Sequence, residues 1–171
     1  MKVLRVLLAL CACLSGSLCP ARAHSGHAPT TGFVWPLAPK PRVAQKFDPP
    51  RERWGSGHRG VDLVASEGAV VRSAGRGRVV FANSINGVGS VSVEHPSGLR
   101  TTYEPVEPSV RPGELVAAGD PIGRLVAGHP GCPVRACLHW GLKLGHGHSD
   151  RYYNPLVLVA ALPIRLKPMA G

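Results

Sequence analysis

The chain has 171 residues, enough for one domain with a modest core. Its formal charge of +10 comes from cations scattered along the chain, and only 5% of residues are aromatic, so a stacking platform for nucleic acid is not indicated. A basic surface of this kind suits anionic wall polymers or membrane lipid, and equally a soluble protein with no anionic partner.

The first element is a leader. Lys2 and Arg5 precede an apolar run, Val6-Leu7-Leu8-Ala9-Leu10, that continues to Leu14. Small residues follow, then Ala21-Arg22-Ala23. This pattern predicts a secretory signal peptide over residues 1–23, cleaved after Ala23. Leu10-Cys11-Ala12-Cys13 offers an alternative lipoprotein reading with a short apolar run before Cys13. A spanning helix needs about 20 apolar residues, which neither this run nor any later one supplies. Removing the leader takes away Lys2, Arg5 and Arg22 and no acid, so +10 becomes +7. Of five cysteines, only Cys132 and Cys137 remain. In an exported protein such a close pair is most simply one disulfide.

Residues 24–32, HSGHAPTTG, read as a flexible arm. His24 and His27 there are either a loose metal site or a solvated tail. The domain is predicted over residues 33–163, opening at Phe33-Val34-Trp35-Pro36, with a loose tail over 164–171. Short strands are predicted at Ala69–Ala74, Arg78–Ala82, Ser90–Glu94 and Leu99–Tyr103. The last two flank a turn at His95-Pro96-Ser97-Gly98. Tyr152–Val159 is predicted to return and pack on the core. Long helical periodicity is absent, and 17 prolines and 21 glycines would interrupt it. The expected fold class is all-β, an antiparallel sandwich or barrel-like domain.

Three constellations could carry chemistry. In Gly57-His58-Arg59-Gly60-Val61-Asp62-Leu63, an imidazole and a carboxylate stand four apart. On a straight strand they would lie about 13 Å from each other. A bend at Gly60 would bring both inward as ligands of a metal such as zinc. The second is Ala136-Cys137-Leu138-His139-Trp140-Gly141-Leu142, where apolar Leu138 and Trp140 face one way and His139 the other. His139 is either a core histidine or a third ligand completing an open zinc site. Such a site keeps one position for a water made acidic enough to attack a carbonyl. The third, Gly145-His146-Gly147-His148, is a loop that supplies no fixed third ligand.

Together these pieces resemble the lysostaphin/LytM-type zinc endopeptidases, which cut peptide bridges in peptidoglycan. The resemblance runs from about Val34 to Leu158. It includes His58-Arg59-Gly60-Val61-Asp62, Gly68-Ala69-Val70-Val71 and Ala74-Gly75-Arg76-Gly77-Arg78-Val79-Val80. It continues through His95-Pro96-Ser97-Gly98-Leu99, Thr102-Tyr103, Val110-Arg111-Pro112-Gly113 and Ala118-Gly119-Asp120-Pro121-Ile122-Gly123, and closes with Leu138-His139-Trp140-Gly141-Leu142. It implies a compact antiparallel β-domain with Zn2+ in a groove, and His58, Asp62 and His139 as its ligands.

The pattern breaks at two positions where active members of that family place further histidines. One is Pro105, two residues after Tyr103; the other is Cys137, two before His139. Peptide hydrolysis needs a group to move a proton and donors for a developing oxyanion. Pro105 offers no polar side chain. Cys137 is either a thiolate or half of a disulfide with Cys132, and a disulfide sulfur carries no proton. Glu104 is a weak substitute base if its carboxylate turns to the metal rather than outward, and Arg135 a substitute oxyanion donor if it is not simply exposed. Three readings stay open: an exported zinc endopeptidase with altered machinery; a non-hydrolytic module that binds peptidoglycan or regulates a hydrolase; and a basic structural protein adhering to anionic wall polymers.

Overall fold

The computed structural model describes residues 32–52, 54–145 and 150–160. The leader over 1–23, His24 and His27 of the arm, the loop histidines His146 and His148, and the tail over 164–171 all lie outside the described residues.

Among the described residues, eleven strands follow in chain order: β1 (Val43–Gln45), β2 (Gly60–Val64), β3 (Val70–Arg72), β4 (Gly77–Ile85), β5 (Val88–Glu94), β6 (Leu99–Glu104), β7 (Val106–Pro108), β8 (Leu115–Val116), β9 (Pro121–Leu125), β10 (Cys137–Leu144) and β11 (Arg151–Tyr153). The large sheet runs β1-β2-β10-β6-β5-β4-β8, with β11 also pairing β10; a small sheet runs β3-β9-β7. Every strand pairing is antiparallel. The predicted all-β class is therefore what the chain adopts. No helix among the described residues is long and apolar enough to cross a membrane.

Alternation explains why the large sheet has two different faces. Val91 and Val93 of β5, Thr101 and Tyr103 of β6, Leu138 and Trp140 of β10, and Val61 and Leu63 of β2 are all wholly buried in the core. The residues between them carry polar groups to the opposite face. Turn chemistry sets the register. Asn86 and Gly87 both have positive φ, 52° and 83°, as a two-residue hairpin between β4 and β5 requires. The segment Phe33–Pro36, where the domain is predicted to open, is irregular backbone. Val34 donates to the Ala74 carbonyl at 2.7 Å and Trp35 packs beside Trp140 at 6.2 Å between centroids. At the other end, β11 leads into a 3-10 turn at Pro155–Leu158, capped by the Asn154 side chain. Leu156, Leu158 and Val159 then pack on the core, as the sequence suggested.

A buried hydrogen-bond chain ties the turn between β5 and β6 to the core. His95 Nδ1 faces the Arg76 carbonyl at 2.8 Å and must donate there. Nε2 is then the acceptor for Thr101 Oγ1 at 2.8 Å, so Tyr103 donates to Thr101 and accepts from the Ala74 amide. This chain works only with neutral His95. Burial pushes the His95 pKa below its ordinary value of 6.5, outweighing the Arg76 carbonyl and the Glu94 charge. The unfolded chain therefore binds a proton more readily. The stability His95 lends is full above pH 6.5 and is lost as pH falls from there toward its folded pKa. Melting temperatures from pH 7.5 down to 5 should fall more steeply for the wild type than for His95→Gln. Parallel curves would refute this role.

Candidate metal centre

Three adjacent strands carry the centre in one row. Register sets Asp62 of β2 opposite His139 of β10, and His139 opposite Glu104 of β6. Directly opposed residues share a face. In the next row, Val61, Trp140 and Tyr103 all go to the core. The polar row forms part of a groove of about 650 Å³, whose walls include Ser90, Ser92, Thr102 and Glu104 from the sheet.

His58 reaches this row from outside β2. It makes an isolated two-hydrogen-bond bridge with Asp48, after which the chain bends at Arg59 and enters the strand. The sequence reading placed that bend at Gly60, but Gly60 has no left-handed φ and sits inside β2. Its missing side chain has another purpose. A Cβ there would stand 2.5 Å from the Trp140 carbonyl oxygen and 2.6 Å from His139 Nε2. The His139 ring lies where that methyl would be. Gly141, in the same row, leaves similar room for Thr102 Oγ1.

The donor atoms converge on a single oxygen. Asp62 Oδ1 is 3.0 Å from His58 Nε2, 2.9 Å from His139 Nδ1 and 3.2 Å from His129 Nε2. His58 Nε2 and His139 Nδ1 are themselves 3.0 Å apart. Asp62 is wholly buried, and its Oδ2 has no hydrogen-bond partner. Burial raises its pKa, but hydrogen bonds from His129 and His139, with the charges of His129 and His58, outweigh that. They hold the carboxyl well below the usual carboxylate range. His58 spends its Nδ1 hydrogen on the Lys46 carbonyl at 2.8 Å. In the neutral ring, Nε2 is then a bare lone pair facing a carboxylate, a contact that a cation between them would relieve. Donors about 2.0–2.1 Å from a tetrahedral ion stand about 3.3 Å from one another. The observed 2.9–3.2 Å contacts to Asp62 Oδ1 are near that value, and all four donor atoms lie within 4.8 Å of one another. The group fits a divalent metal.

Sequence reading passed over His129. It lies in the loop before β10, three residues ahead of Cys132, with no flanking signature. Its link to the site is the disulfide between Cys132 and Cys137, with Cα atoms 5.7 Å apart, which holds this loop against the start of the His139 strand. The two cysteines did point to that loop, and a histidine inside it was the available signal. The bond also leaves Cys137 without a thiolate, and its side chain is wholly buried.

The other candidates fall into place around the group. Glu104 lies on the groove wall, not the outer face, two strands from Asp62, so roughly 10 Å away at the backbone. Pro105 lines a neighbouring cavity with Val106 and Val110. Arg135 is not an oxyanion donor here: its side chain is 81% exposed and pairs with Glu67 at 2.8 Å.

The family model for peptidase family M23 matches residues 56–155, which hold all four donors. The chain belongs to peptidase family M23. A Mycobacterium tuberculosis relative, "Uncharacterized protein Rv2891", is 47% identical over 174 residues, covering 99% of this chain and 68% of its own length. Among solved structures, Helicobacter pylori Csd3 aligns at a TM-score of 0.61 and 26% identity, over 80% of this chain and 37% of Csd3. This chain thus corresponds to a minor part of that protein. The catalytic domain of lysostaphin from Staphylococcus simulans aligns at a TM-score of 0.59 and 22% identity, over 70% of this chain and 93% of that domain, a likeness of fold.

Proposed function

We propose that this M23 chain is an exported, zinc-binding cell-wall protein that takes peptidoglycan peptide bridges into its groove and hydrolyses them slowly or not at all. One observation carries the reading. His58, Asp62 and His139 converge at the groove floor, while positions 105 and 137 hold a proline and a disulfide sulfur. The means to hold a metal are kept and the usual means to move a proton are not.

Zinc, when bound, would supply Lewis acidity toward a peptide carbonyl. The chain's own residues do the rest. Asp62 brings a buried negative charge, and the Lys46 carbonyl fixes the His58 ring with Nε2 inward. Ser90, Ser92 and Thr102 present hydroxyls along the groove to a peptide backbone. Lys143, also on the groove wall, is positioned by its ion pair with Asp150 at 2.7 Å. Glu104, the carboxylate among the groove-lining residues, and the His129 imidazole are the groups to which any residual proton transfer falls. The predicted leader and the disulfide both suit an oxidising, extracytoplasmic compartment.

Metal analysis of purified protein should find one zinc per chain in the wild type and none in His139→Ala. Equal zinc in both would remove the site from consideration. Incubation with purified peptidoglycan should release few or no new amino termini. Rapid, chelator-sensitive release would show that Glu104 or another group restores catalysis. Adhesion by charge alone predicts wall binding that moderate salt abolishes and that groove substitutions leave unchanged.

A further inference from the structure

We propose that His129 is a fourth protein ligand, so that the loop before β10, anchored just beyond His129 by the Cys132–Cys137 bond, shuts the metal site into a His3Asp set. This rests on the zinc reading above and goes further, since that reading needs three ligands and an open position.

The geometry favours a ligand over a bystander. His129 Nε2 approaches the same carboxylate oxygen as His58 and His139, at 3.2 Å, near the spacing of two donors on one tetrahedral ion. A group acting on the metal through an intervening water would stand farther from the other donors. The His129 ring also packs beside that of His139, with centroids 5.4 Å apart, and its side chain is only 16% exposed. The loop is fastened on both sides of the site. The Val126 amide donates to the Pro105 carbonyl at 3.1 Å, and within the loop the Cys132 amide closes a turn on the His129 carbonyl at 3.3 Å. The bond to Cys137 then anchors the loop to β10 itself. Structural zinc sites have four protein ligands, whereas catalytic ones keep a position open. With His129 in place, this chain has the first arrangement.

The test uses the full oxidised chain with Zn2+ and Co2+ as probes. Zinc affinity is measured by competition with a chromophoric chelator, and coordination is read from the visible bands of the cobalt form. The wild type should give the intense bands of a four-coordinate ion, unchanged by added azide. His129→Ala and His129→Gln, with folding checked by near-ultraviolet circular dichroism, should lose at least the roughly 10- to 100-fold in affinity that even an outer-shell partner is worth. Their cobalt bands should weaken and respond to azide. The Cys132→Ser/Cys137→Ser variant should shift the same way, because its loop is untethered. Wild-type affinity and spectra in both His129 variants would overturn the proposal, and a wild-type spectrum in the cysteine variant would overturn the tether. If the wild type itself takes up neither metal, the zinc reading falls first and this one with it.

Discussion

Gly60→Ala should cost the protein its zinc and about 1–3 kcal/mol of stability. The added methyl would meet the Trp140 carbonyl at 2.5 Å and the His139 ring at 2.6–2.8 Å, closer than real Cβ contacts come. The ring could swing away, but the carbonyl belongs to β10, which pairs with β2 at this point through Trp140 with Val61 and Gly141 with Gly60. Relief therefore requires the two ligand-bearing strands to part or His139 to leave its place, and either scatters donors now within 4.8 Å of one another. Zinc content should match that of His139→Ala, with a lower melting temperature. A variant with full zinc content and an unchanged melt would show that Gly60 is not the seat of the ring.

Trp140→Ala should be more damaging to the fold, by about 3–5 kcal/mol. Trp140 is the largest wholly buried side chain, on a strand flanked by β2 and β6, with Trp35 tilted against it. Against a typical total of about 5–15 kcal/mol, that is a large fraction. It corresponds to a drop in melting temperature on the order of 10–20 °C. Trp140→Phe separates the contributions. The indole Nε1 is buried with no close hydrogen-bond partner and only the Tyr103 hydroxyl as a weak acceptor, so phenylalanine forfeits little there while leaving only a small void. Its cost should be about 1 kcal/mol. Urea unfolding of the three proteins would measure both differences. A phenylalanine variant as unstable as the alanine one would mean that the indole nitrogen has a stabilising partner.

Strands such as Ser90–Glu94 and Leu99–Tyr103 were legible because each has one face in the core and one in the groove, and that asymmetry is written as alternation. The short strands β1, β7 and β8 carry too few residues for a period to show, and β9, though five residues long, does not alternate cleanly. His58, Asp62 and His139 could be picked out by their order and spacing in the family resemblance; Asp62 and His139 then stand in register on β2 and β10, and His58 joins them from the bridge before β2. His129 could not, because a loop histidine is placed by a covalent bond elsewhere in the loop and by no periodicity. Gly60 was noticed for the wrong reason. Its backbone is ordinary, and its role depends on a ring brought in from a strand nearly eighty residues away, which no local reading contains. For Glu104 the strand rule was sound, but which face was the groove depended on knowing that Tyr103 belongs to the core.

The alternation of β10 has a consequence for how this chain can vary. Leu138, Trp140 and Leu142 hold the fold, and His139 between them holds the metal group. Inserting or deleting one residue at the start of β10 would exchange the two sets, sending the indole into solvent and the imidazole into the apolar interior. Sequence drift along this strand is therefore confined to substitution: length changes must fall in the loops at its ends. The segment between Cys132 and Cys137 is itself held by its bond, so variation in length falls more readily beyond Leu144 than before Cys137.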